Sequence, residues 1–310
     1  MTTSRADVQA ALNGISGVHV TPYGRDGSIN AAAVTSIVRR IASAGIHAVV
    51  CGGNTGEFFS QTAREIVAVQ EAAKEGCLER TVMIAGVGRA IDDAIELARS
   101  AERIGFDAIM VHEPADPFAG AVGVTAYVRR ICDSVSLPVI LYVRSPALGF
   151  NELMSLAAID QVVGIKFART DLTQLANCIR ATEGSGVAWV CGLAEQWAAP
   201  FYAVGARGFT SGLVNVAPEH SMVIHAALER GDFTEARRLV GLIALFEELR
   251  STDDNGANVT VVKEALSLLG HEVGRVRDPG SARLSDANRQ RLGKVLETWR
   301  KNGILAEPVS

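Results

Sequence analysis

The chain alternates short apolar runs with longer segments whose apolar residues return every three or four positions. The first runs lie at 17–24 (GVHVTPYG), 47–53 (HAVVCGG), 81–88 (TVMIAGVG) and 106–114 (FDAIMVHEP). Four more follow at 137–145 (LPVILYVRS), 162–170 (VVGIKFART), 187–193 (VAWVCGL) and 205–215 (GARGFTSGLVN). Most are apolar through their length, the pattern of parallel strands covered on both faces. Between them the spacing is helical. Asp92, Ala94, Leu97, Ala98, Ala101 and Ile104 carry one such segment, and Leu153, Leu156, Ala157 and Ile159 mark another. Ser28, Asp92, Asn151 and Asp171 stand where N-caps are expected.

Eight strand-then-helix repeats predict an α/β fold of the TIM barrel type, a (β/α)8 barrel, over residues 1–230. A doubly wound open sheet would carry a Gly-rich phosphate loop after its first strand, and TPYGRDG is not one. From 231 to 310 the pattern is helical only. TEARRLVGLIALFEELR, VTVVKEALSLLG and SDANRQRLGKVLETWRKNG are each amphipathic, with STDDNGAN (251–258) as a loop between two of them. This predicts a C-terminal helical extension packed on the barrel, not a catalytic unit.

Composition narrows the class. With 310 residues, 48% of them hydrophobic, the chain can bury a large core without disulfides. The five cysteines (Cys51, Cys77, Cys132, Cys178 and Cys191) are odd in number and form no CxxC pair. They read as reduced, mostly buried thiols of a cytoplasmic protein. A net charge of −4 gives no basic footprint, which weighs against a nucleic-acid partner. No apolar run approaches the ~18 residues of a membrane helix, and MTTSRADVQAALNG lacks the apolar centre of a signal peptide.

In such a barrel the chemistry sits at the carboxyl ends of the strands. The polar residues predicted there are Thr21, Tyr23, Asn54, Thr55, Glu57, His112, Glu113, Asp116, Tyr142, Arg144, Lys166, Arg169, Glu195, Thr210, Ser211 and Asn215. Lys166 closes an apolar, β-branched run. Desolvation there would lower its pKa and expose an amine able to form an imine with a ketone; the plainer alternative is a lysine snorkelling to solvent or paired with a carboxylate. Tyr142 ends the preceding strand and could relay protons, or simply line the barrel. In GGNTGE (52–57), Gly53, Asn54 and Thr55 could cradle a carboxylate, although a tight turn explains the glycines equally well. Arg144 and Arg169 could clamp a second carboxylate or serve as salt-bridged loop arginines. Thr210 and Ser211 add hydroxyls for substrate binding. His112-Glu113 could begin a metal site, but no second histidine lies at ligand spacing at another strand end, so no metal is expected.

On these residues the sequence resembles the dihydrodipicolinate synthase and N-acetylneuraminate lyase family of class I aldolase barrels. The matches include VTPYGRDGSIN (20–30), GGNTGEFFSQT (52–62), VMIAGVG (82–88), LPVILYV (137–143), VVGIKFARTDL (162–172), GARGFTSGLVNVAPE (205–219) and VRDP (276–279). The resemblance implies that Lys166 forms the Schiff base, that Tyr142 belongs to the proton relay, and that Thr55 helps bind the keto-acid carboxylate. Asn54 stands where the family has a hydroxyl residue; its amide can bind but not relay a proton. Ala115 and Asp116 stand where dihydrodipicolinate synthases usually have a tyrosine pair, and Ala147 where they have a substrate-gripping arginine.

GGNTGEFF and the arginine two residues after Tyr142 look more like the 5-dehydro-4-deoxyglucarate dehydratase branch, although KFART differs from that branch's KDG. The implied function is a Schiff-base-forming lyase acting on a 2-keto acid, by dehydration or aldol cleavage of a deoxy sugar acid. It implies no cofactor beyond the covalent imine on Lys166, and a homotetramer or dimer. Two alternatives stay open: condensation of pyruvate with aspartate semialdehyde, and a keto-acid-binding paralogue without turnover.

Overall fold

The computed structural model describes residues 3–281 and 283–305. Eight parallel strands close into a barrel in chain order: β1 (Ile15–Val18), β2 (Ala48–Cys51), β3 (Val82–Val87), β4 (Ala108–His112), β5 (Val139–Val143), β6 (Val162–Phe167), β7 (Ala188–Cys191) and β8 (Phe209–Ser211). Apart from half-buried Ala188, every residue of these strands is buried, which is why their sequences are apolar throughout. Before β1 lies helix α1 (Arg5–Leu12), which the apolar pattern does not announce. The helices that follow the first seven strands are α2 (Ala31–Ser43), α3 (Ala63–Gly76), α4 (Ile91–Ile104), α5 (Ala121–Cys132), α6 (Phe150–Ala157), α7 (Leu172–Ala181) and α8 (Glu195–Ala203). After β8 come α9 (Pro218–Glu229), α10 (Phe233–Arg250), α11 (Asn258–Leu268) and α12 (Asp286–Lys301).

Several predicted boundaries are corrected. The first strand runs over Ile15–Val18 and not 17–24, because Pro22 cannot donate to a strand ladder and Tyr23 instead bridges antiparallel to Ile29. The last strand is only Phe209–Ser211, since Gly205 and Gly208 take left-handed φ of 105° and 72°. Asn30, not Ser28, caps α2 by accepting from the Ala33 N–H at 3.1 Å, while Ser28 donates its N–H and hydroxyl to Asp26. Asp92 and Asn151 lie inside the first turns of α4 and α6, behind Ala90 and Gly149 at the cap positions. Asp171 caps α7 as expected. Residues 271–281 are not helical: Gly270 and Gly274 are left-handed, and Pro279 has no N–H to give a helix.

The chain sorts into two compact units. The first gathers the chain up to Ser16, His47–Cys51 and Glu79–Thr210. The second gathers Gly17–Ile46, Gly52–Leu78 and the chain from Ser211 onward.

Candidate active site

In the first unit, register brings three polar strand ends into one row. His112 on β4 pairs with Tyr142 on β5, and Tyr142 pairs with Lys166 on β6. The second pairing depends on an irregularity. Val139 faces Val162, yet Ile140 faces Gly164, so β6 carries one extra residue. Without it Tyr142 would face Ile165, because a one-residue slip sends every later side chain to the other face. Gly164 fits the site of this bulge, since a Cβ there would lie 2.6 Å from the Leu12 side chain.

Lys166 is 5% exposed. Its Nζ sits 3.8 Å from the centroid of the Tyr142 ring. Among the described residues no carboxylate forms an ion pair with it. Burial, with the nearby Arg144 charge second, pushes its pKa down to about 7. The ring face of Tyr142 favours the ammonium form, but desolvation outweighs it. Tyr142 is itself buried, and the buried His112 ring meets it edge-on at 5.5 Å between centroids. A neutral amine is therefore within thermal reach at neutral pH, beside a phenol on the next strand.

The loop that follows β5 carries Arg144, whose side chain is exposed and makes no hydrogen bond or ion pair with the described residues. Its backbone is held. The half-buried Glu113, just past β4, accepts the Arg144 N–H at 3.1 Å and the Ser145 N–H at 2.7 Å on one oxygen, Oε2. Burial raises the Glu113 pKa, against the pull of those two amides. Arg169 reaches the same loop, its guanidinium donating to Ser145 O and to Leu148 O at 2.8 Å, and also to Gln174 Oε1 of α7 at 3.0 Å. Arg169 thus braces this loop through hydrogen bonds to backbone carbonyls. Thr210 on β8 is buried and donates weakly to Cys191 O at 3.4 Å.

In the second unit, GGNTGE forms a tight turn. Gly52 has φ 80°, and a Cβ on Gly53 would overlap the Val18 side chain, so the first glycine is required by the backbone and the second by packing. Asn54, Thr55 and Gly56 make one 3-10 turn. Gly56 O accepts from Thr21 Oγ1 at 2.8 Å and Gln61 Nε2 at 2.7 Å. Glu57 follows in a left-handed conformation at φ 60°, its carboxylate paired with Lys263 Nζ at 2.5 Å and accepting the Arg277 N–H at 2.8 Å. Thr21 and Tyr23 therefore serve this scaffold, as does Asn215, which accepts the Val20 N–H and donates to Val18 O at the end of β1. Buried Ser211 lies 3.3 Å from Ser221 Oγ and accepts from Val214 N.

Gln61 and Lys263 are absent from the residues that the sequence pattern singles out. Lys263 has a signal: it lies in VVKEALSLL with apolar residues on both sides of it. Gln61 has none. Among the described residues no group of three or more His, Cys, Asp or Glu side chains could hold a metal ion, and no helix is long and apolar enough to cross a membrane.

A closed parallel barrel with titratable groups at its strand ends is the framework of an enzyme acting on small molecules. The chain belongs to the dihydrodipicolinate synthetase family, whose model matches residues 11–299, and it is a lyase of that family. It is 32% identical to a Streptomyces coelicolor protein named probable 5-dehydro-4-deoxyglucarate dehydratase 1, covering 93% of this chain and 92% of that one. An Acinetobacter baumannii protein named probable 5-dehydro-4-deoxyglucarate dehydratase is 30% identical, over 92% of this chain and 95% of its own. Among solved structures, dihydrodipicolinate synthase from Oceanobacillus iheyensis superposes with a TM-score of 0.92 at 35% identity, covering 96% of this chain and all of that one. The Bacillus clausii dihydrodipicolinate synthase gives 0.91 at 37% identity, with 94% and 99% covered.

Proposed function

We propose that the protein is a class I lyase that forms an imine between Lys166 and a 2-keto acid, and that it dehydrates or cleaves a deoxy sugar acid. The observation that carries this reading is the Lys166 amine, buried beside Tyr142 and held near neutrality. The neutral amine adds to the C2 carbonyl, and the carbonyl oxygen leaves as water with a proton delivered through Tyr142. The protonated imine then draws electrons from C3. Loss of a C3 proton followed by departure of the C4 hydroxyl as water gives dehydration. Removal of the C4 hydroxyl proton with rupture of the C3–C4 bond gives aldol cleavage. The turn of Gly53, Asn54 and Thr55 is assigned the C1 carboxylate on the family resemblance, and Arg144 a distal acidic group. The same reading takes the enzyme as a cytoplasmic homo-oligomer whose only electron sink is the imine.

The names of the curated relatives support the dehydratase branch. The solved structures at 35% and 37% identity are named dihydrodipicolinate synthase, and they favour a second reading, condensation of pyruvate with aspartate semialdehyde. Ala115, Asp116 and Ala147 argue against it. Borohydride reduction in the presence of pyruvate, followed by intact mass, tests the imine. An adduct on the wild-type chain that vanishes in Lys166→Ala is expected; no adduct, or one that survives the substitution, overturns the proposal. A panel of deoxy sugar keto acids against pyruvate plus aspartate semialdehyde separates the two branches.

A further inference from the structure

The loop after β5 is held from both sides, and the two grips act on complementary backbone groups. From the β4 side Glu113 takes two successive N–H groups, those of Arg144 and Ser145, on a single carboxylate oxygen. From the β6 side Arg169 donates to the carbonyls of Ser145 and Leu148. Ser145 is thus bound at its N–H by one group and at its C=O by the other. Its hydroxyl also accepts the Ala147 N–H at 3.1 Å, which closes the turn. Leu148, the last residue of the grip, is 2% exposed and anchors the loop in the core. A charged side chain with a rigid fork and a half-buried carboxylate are costly devices for an ordinary connection of a few residues. What the loop displays is Arg144, the residue whose backbone Glu113 holds directly and whose guanidinium makes no hydrogen bond or ion pair with the described residues.

We propose that Glu113 and Arg169 are positioning residues that fix the Arg144 guanidinium, and that through it they set a preference for 2-keto acids carrying a second carboxylate. For its substrate class the proposal rests on the imine reading above. A bidentate arginine–carboxylate contact depends on orientation, so a loosened loop loses the diacid selectively while leaving the reaction at C2 intact.

Two probes of equal length separate these effects: 2-oxoadipate, a keto diacid, and 2-oxohexanoate, its counterpart without the second carboxylate. Each is trapped by borohydride, and the half-saturating concentration is read by intact mass. Glu113→Ala is expected to raise that concentration about tenfold for 2-oxoadipate, as a misplaced charge-assisted contact should, and to leave 2-oxohexanoate unchanged. Arg144→Ala should weaken 2-oxoadipate trapping at least as much, and on that probe the double variant should lose no more than Arg144→Ala alone. Glu113→Gln, whose amide oxygen still accepts the two N–H groups, should rescue most of the loss. Equal losses on both probes, or additive losses in the double variant, overturn the proposal. Should Glu113→Ala fail to fold, Arg169→Lys makes the same comparison, since lysine keeps the charge but cannot span two carbonyls. If wild type gives no adduct with pyruvate, the imine reading fails, and amide hydrogen exchange then decides the clamp; an adduct with pyruvate but with neither probe overturns the proposed preference. Faster exchange at Arg144 and Ser145 in Glu113→Ala or Arg169→Lys, with Glu113→Gln close to wild type, supports a grip on this loop; unchanged exchange in both Glu113→Ala and Arg169→Lys removes it.

Discussion

An amine at a strand end is useful to a carbonyl only while it is neutral, so the protonation of Lys166 sets the working range of the proposed chemistry. Burial is the larger cause of its depressed pKa, about 7, and the Arg144 charge adds to it. Imine formation at saturating keto acid should therefore fall as pH drops through about 7. In Arg144→Ala the midpoint should move upward, by less than the share due to burial, because an exposed guanidinium is screened. Single-turnover trapping across the pH range reads both; a midpoint unchanged in Arg144→Ala would show that the arginine does not act on the amine. The same burial has a cost in stability. Unfolded lysine titrates at 10.5, so between about 7 and 10.5 the unfolded chain binds the proton and the folded chain does not. Stability should rise with pH across that window. At pH 7 the residue gains nothing from its charge, so Lys166→Met should match or exceed the wild type in urea denaturation.

At the scale of elements, the apolar runs locate all eight strands, because a strand covered on both faces cannot hide its composition. Their ends are harder to see. Polar residues such as Thr21, Tyr23 and Asn215 follow the strands in sequence, yet they satisfy backbone groups where the ladder stops. The pairing of Tyr142 with Lys166 is legible as a neighbouring-strand relation, but the bulge that aligns them is not, since one extra residue leaves no periodic trace. Arg169 and Glu113 illustrate the same limit: which loop a charged side chain holds depends on contacts 21 to 32 positions away. The start of α3 is easier, because its cap at Thr62 is complete. Thr62 accepts the Glu65 N–H at 3.2 Å, and Glu65 accepts the Thr62 N–H at 2.9 Å while pairing with Arg277. Thr62→Ala should cost about 1 kcal/mol, lowering the thermal midpoint, whereas Thr62→Ser should retain it. Equal stability of the two variants would mean that Arg277 alone fixes the start of α3.

For the whole molecule, the sequence announces a barrel followed by helices but not how distant segments combine. The second compact unit joins Gly17–Ile46 and Gly52–Leu78 to everything from Ser211 onward, and one buried ionic network runs through all three stretches. Glu57 pairs with Lys263 of α11 and accepts the Arg277 N–H, while Lys263 and Arg277 lie 4.2 and 4.1 Å from the Tyr23 ring. Burial pushes the Lys263 pKa down to about 8, with Glu57 pulling it back, so at neutral pH Lys263 keeps its charge. The Tyr23 phenol is pushed up to about 12 by burial and by Glu57, and it stays neutral. Such a pair stabilises little relative to an apolar replacement of both members, yet removal of one member strands a buried charge. Lys263→Met should therefore destabilise the protein by about 3–5 kcal/mol. Glu57→Gln combined with Lys263→Met should be less destabilised than Lys263→Met alone, because no carboxylate is then left uncompensated behind the Asn54–Thr55 turn. Equilibrium urea unfolding of the three proteins at pH 7 measures both quantities. A Lys263→Met chain within about 1 kcal/mol of wild type would show that the Arg277 amide suffices for Glu57, and that the helices after β8 hold the turn by apolar packing alone.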